Sequence, residues 1–109
     1  MRIEGAPFAV VDWDRIAETE HPGETGTAWW RTVQLGDIRV RKVRYSAGYR
    51  ADHWCSKGHV LLVVDGELVT ELKDGGSVTM KAGMGYHVAD AQTPHRSLTS
   101  GGATLFIVD

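Results

Sequence analysis

Asp52-His53-Trp54-Cys55-Ser56-Lys57-Gly58-His59-Val60-Leu61-Leu62-Val63-Val64-Asp65-Gly66 carries both the fold signal and the chemistry of this chain. From His59 to Val64 the pattern is apolar on both faces. Leu61 and Val63 align with His59, and Val60, Leu62 and Val64 lie opposite. A strand apolar on both sides is covered on both sides. Asp65-Gly66 has the chemistry of a hairpin turn, so Glu67 to Leu72 reads as the returning strand. Upstream, His53, Cys55 and His59 are three ligands suited to a borderline-soft transition metal. In an extended backbone His53 and Cys55 point to one side. A tight turn through Ser56-Lys57-Gly58 then brings His59 back opposite them. His95, in Thr93-Pro94-His95-Arg96, is the candidate fourth ligand. The plainer reading of Cys55 is a small core residue beside an apolar strand.

The rest of the chain reads as short strands separated by turns. Residues 1–12 form an extended arm in which Phe8 and Val10 can pack on the body of the domain. Asp12 caps a single helical turn through Trp13 to Ile16. His21 to Gly26 is a loop by composition, and His21 and Glu24 are within reach of a site from there. Ala28 to Gln34 is a strand with Trp29 and Trp30 on opposite faces. Ile38 to Ser46 is the clearest β segment, but its apolar phase slips, and a bulge near Arg41-Lys42 reconciles it. Without the bulge, Arg39 and Arg41 share a face with Val43 and Tyr45, where two guanidinium groups can clamp a carboxylate. Exposed arginines are the commoner arrangement. Ser77 to Met80, Tyr86 to Ala89, His95 to Thr99 and Ala103 to Val108 complete the set. His95, Ser97 and Thr99 share one face. Eight or nine strands at this spacing indicate an all-β sandwich or barrel.

The totals narrow the function. A chain of 109 residues implies one domain, divided here into an arm and loop (1–27) and a barrel (28–109). With 12 basic and 14 acidic residues the net charge is -2, and no basic run marks a nucleic-acid or membrane surface. One cysteine makes no internal disulfide, and Met-Arg-Ile-Glu-Gly lacks the apolar core of a signal peptide. A cytoplasmic location is therefore expected. The two-sided apolar strands, His59–Val64 and Ala103–Val108, predict a homodimer, because one small barrel cannot cover all of them.

From Gly48 to His95 the sequence resembles the cupins, small β-barrels with a jelly-roll fold (a double-stranded β-helix). Gly48, His53, Cys55, His59 and Gly66 stand in order where the first cupin motif has glycine, two histidines, glutamate and glycine. His95 stands for the histidine of the second motif. More closely, Ala51 to His59 with the ending Leu105-Phe106-Ile107-Val108-Asp109 resembles the cupins named for a DHCW motif. The resemblance implies one metal per chain inside the barrel, held by His53, Cys55, His59 and His95. Cysteine replaces a histidine here, and histidine replaces the glutamate. The softer set favours one divalent ion from among zinc, nickel, iron and copper, with zinc first, over manganese.

Function stays open at this point between three classes. The metal can serve an enzyme acting on a small organic molecule, a non-catalytic sensor or carrier, or a closed structural zinc site. Arg39, Arg41, Tyr86 and His87 are the candidate anchoring or acid–base groups.

Overall fold

The computed structural model describes residues 1–109. After an arm without regular structure, Trp13–Arg15 forms a 3-10 turn, capped by the Asp12 carboxylate accepting from Asp14 N–H at 3.2 Å. Eight strands follow: β1 (Thr19–Pro22), β2 (Thr27–Leu35), β3 (Ile38–Tyr45), β4 (His59–Leu72), β5 (Ser77–Lys81), β6 (Gly85–Val88), β7 (His95–Leu98) and β8 (Ala103–Val108). Every pairing is antiparallel. One sheet runs β1-β2-β3-β8-β4, with β6 on the far side of β4. The second is made by β5 and β7 on either side of the later half of β4.

Strand β4 is thus common to both sheets. Its first half, His59 to Leu62, pairs with β6, and its second half, from Glu67, with β5. The Asp65-Gly66 hairpin expected from sequence is absent. The strand continues through these residues, and its register against β8 shifts between Val63 and Asp65. Gly66 has φ +79°, and a Cβ there would collide with the Gly102 carbonyl oxygen. Glycine is placed here because a strand crossing between sheets must bend and approach its neighbour's backbone closely.

The core lies between the sheets. Leu68, Leu105, Val43 and Val63 are fully buried, and Trp30, Tyr45, Tyr49 and Tyr86 pack around them. On β4, Leu61 and Val63 point inward, while Val60, Leu62 and Val64 are 58%, 44% and 47% exposed. Phe8 and Val10 are also exposed, so these two side chains do not pack on the barrel. The segment expected to be a loop from His21 begins as strand: Thr19–Pro22 pairs with Thr27–Trp30.

Strand β3 contains no bulge. Its pairing with β2 runs unshifted from Leu35↔Ile38 to Ala28↔Tyr45. Strict alternation therefore turns Arg39, Arg41, Val43 and Tyr45 inward, and Arg41 is only 6% exposed. The apparent phase slip is a change in what the inner face touches. Toward Val43 it meets the apolar core, and toward Arg39 it lines a cavity.

Candidate metal centre

A cavity of about 160 Å³ opens between the sheets at one end of the barrel. Strand β7 and the segment before β4 build one wall. The segment Asp52–Gly58 is not a strand: it is an irregular crossing tied to β7 at one point. There Cys55 N–H donates to the His95 carbonyl at 2.7 Å, and His95 N–H donates to the Cys55 carbonyl at 3.0 Å. This two-way bridge holds the cysteine beside the histidine. Asp90 accepts from Gly58 N–H at 2.6 Å and fixes the crossing where it enters β4.

The donor atoms of Cys55, His59 and His95 lie within 4.8 Å of one another. His95 is buried, and its Nδ1–H donates to the Thr93 carbonyl at 2.7 Å. A carbonyl can only accept, so this bond fixes the tautomer. Nε2 is left buried with no partner in the protein. His59 meets His95 edge-on, with ring centroids 4.8 Å apart. The Nε2 of His59 lies 2.9 Å from the Tyr86 hydroxyl, while its Nδ1 is buried without a partner. Burial, reinforced by His95, pushes the His59 pKa down to about 4, so the ring is neutral near pH 7.

These features fit a metal. A buried polar atom without a partner costs about 1–3 kcal/mol. Two such imidazole nitrogens, on rings grouped with a thiol, are donors that a borderline-soft ion satisfies. Each ring also engages an outer group, Thr93 or Tyr86, as metal-ligating histidines do.

His53 is placed apart from this trio. Its ring lines the same cavity, but its side chain is 77% exposed and its Nδ1 sits 2.6 Å from Asp52 Oδ1. The extended geometry expected for Asp52 to Cys55 is absent, so the two side chains do not share a strand face. Of the other candidates, Tyr86 faces inward against His59, whereas His87 points outward. His21 stacks on Trp30 at 3.7 Å, on the inner side of the barrel. Burial, then the charges of Arg41 and Arg39, lower its pKa. Glu24 lies on the surface, 3.5 Å from Arg50.

Asp109 was missed by sequence reasoning, although the alternation of β8 marks it. Ala103, Leu105 and Ile107 are buried on one face, and Asp109 follows in phase. Its side chain is 1% exposed. It accepts from Arg39 Nε and Nη2 at 2.9 Å each and from Arg41 Nη2 at 3.0 Å. Burial opposes the charge, but the Arg39 hydrogen bonds and the two guanidinium charges outweigh it and hold the carboxyl below its ordinary range.

A predicted oxalate decarboxylase from Thermotoga maritima superposes with a TM-score of 0.78 over 92% of this chain and 96% of its own, at 16% identity. Ectoine synthase from P. lautus gives 0.75 over 93% and 76%, at 15% identity. A cupin-2 domain protein from Shewanella frigidimarina gives 0.59 over 73% and 78%, at 18% identity. The chain has the cupin fold. No family model and no curated protein matches the sequence. The cupin barrel therefore rests on shape, and the cavity chemistry on the residues that line it. No helix is long and apolar enough to cross a membrane.

Proposed function

We propose that this cupin barrel binds one divalent transition metal through Cys55, His59 and His95 and presents it to a small organic molecule in the adjoining cavity. The observation that carries this reading is His95 Nε2, a buried ring nitrogen with no protein partner, in a group with His59 and Cys55 whose donor atoms lie within 4.8 Å of one another. Two imidazoles and a thiolate form a soft set, so zinc leads among the candidates, followed by nickel, copper and iron. His53 is the candidate fourth ligand. Its Nδ1 engages Asp52, which leaves Nε2 as the nitrogen available to the metal. Without it, three protein ligands leave a position for water or substrate, as in catalytic sites. A metal so held supplies a Lewis acid, or a redox centre if it is copper or iron. The resemblance to the DHCW-motif cupins supports the same assignment.

The exposed row Val60, Leu62 and Val64 supports a homodimer formed through the outer face of β4. A single cysteine fits a reducing cytoplasm.

The test is metal content by mass spectrometry, for protein purified without added metal and for His59→Ala. One equivalent in the native chain and loss in the variant support the site. Equal stoichiometry in both removes it.

A further inference from the structure

Arg41 is 94% buried, yet its Nε has no hydrogen-bond partner. The guanidinium is held between Trp30, whose ring centroid lies 4.4 Å away, and Asp109 at 3.0 Å. Arg39 lies behind it, 5.4 Å from the same ring, with two donors on Asp109. Both arginines line the cavity that also contains Cys55, His59 and His95. Two guanidinium groups share the single side-chain carboxylate of Asp109 on this wall. Arg96, also lining the cavity, is engaged by Glu71 at 2.8 Å. A desolvated cation with an idle donor is costly unless an anion completes it. A planar guanidinium fork matches a carboxylate.

We propose that Arg41 is the seat for the carboxylate of a small organic acid, with Asp109 and Trp30 holding the guanidinium in place. Arg39 anchors Asp109 and adds to the positive field. An apolar cavity of about 150 Å³ accommodates benzene. The part of the ligand that enters this cavity is therefore about six non-hydrogen atoms. The proposal rests on the metal reading only for the far end of the ligand, which faces the Cys55–His59–His95 group. Capture of the carboxylate by Arg41 does not require the ion.

The test compares lactate with lactamide, its neutral counterpart, by calorimetric titration of the full chain, zinc-loaded and chelator-treated. Lactate is expected to bind both forms, and lactamide at least about tenfold more weakly, the usual contribution of a hydrogen bond to a charged group. Arg41→Met should lose lactate binding by about the same factor while retaining its zinc. Arg41→Lys keeps the charge but not the fork and should fall between, which guards against a Met variant that misfolds. Equal affinity for lactate and lactamide, no lactate binding to either form, or unchanged affinity in Arg41→Lys would overturn the seat. Lactate binding that disappears with zinc and ignores Arg41 would overturn it too, leaving the metal reading intact. Failure of the protein to take up zinc, with lactate still held by Arg41, would refute the metal reading and leave the seat standing.

Discussion

The Nδ1 of His95 sits 2.7 Å from the carbonyl oxygen of Thr93, two residues earlier in the chain. Pro94, between them, lets so short a segment close on itself by fixing its own φ. The bond orients the ring and makes Nδ1 the protonated nitrogen, so the lone pair is on Nε2, inside the cavity. A local turn thus fixes the ring and its tautomer without any help from an ion.

Tyr86 does the corresponding work for His59. With a metal on Nδ1, the Nε2–H donates to the phenol oxygen 2.9 Å away. Tyr86→Phe removes that acceptor and keeps the ring's packing. Competition with a chromophoric chelator should show zinc held about 10–100-fold more weakly, the usual cost of losing an outer partner. Unchanged affinity would mean that Tyr86 does not position His59.

The outer row of β4 predicts the assembly state. Light scattering of the native chain should give twice 12.0 kDa, and Leu62→Asp, which puts a charge on the exposed row, should give 12.0 kDa. A native monomer at micromolar concentration would contradict the dimer.

Gly66 predicts a stability defect. Alanine there must adopt φ +79° and meet the Gly102 carbonyl. A strained non-glycine residue costs about 1–3 kcal/mol. For a domain near this size each kcal/mol lowers the melting temperature by roughly 4–8 °C. An unshifted melt for Gly66→Ala would show that the crossing strand does not need its glycine.

The Asp109 carboxyl predicts a pH effect. Its folded pKa lies below the ordinary 3.8. A depressed carboxyl stabilises the fold fully above the unfolded value, and the contribution is lost as pH falls through the folded one. Denaturant titrations between about pH 6 and pH 2 should therefore show the native chain losing more stability on acidification than Asp109→Asn. Parallel profiles would mean that the ion pairs with Arg39 and Arg41 contribute nothing.

Much of this architecture was legible in the sequence. Alternation located the strands, glycine-rich turns divided them, and His59, Cys55 and His95 were named from residue type and order. The errors share a physical cause. Asp65-Gly66 is written like a turn, but the same glycine serves a strand that bends between sheets, and only the partner strands decide which. The arginines of β3 broke the apolar phase because the inner face changes from core to cavity along one strand. His53 and Cys55 were placed on one strand face by assuming an extended backbone, whereas Asp52–Gly58 is irregular and its backbone hydrogen bonds to His95 hold Cys55 only. Asp109 was readable from the phase of β8, yet a carboxylate is read as exposed unless its partners are known to face inward.

X-ray absorption at the zinc edge tests the metal centre most directly. For zinc-loaded protein the account predicts one sulfur at about 2.3 Å and two or more imidazole nitrogens at about 2.0–2.1 Å, with the sulfur lost in Cys55→Ser. A shell of oxygens without sulfur or imidazole, unchanged in Cys55→Ser and His95→Ala, would contradict it.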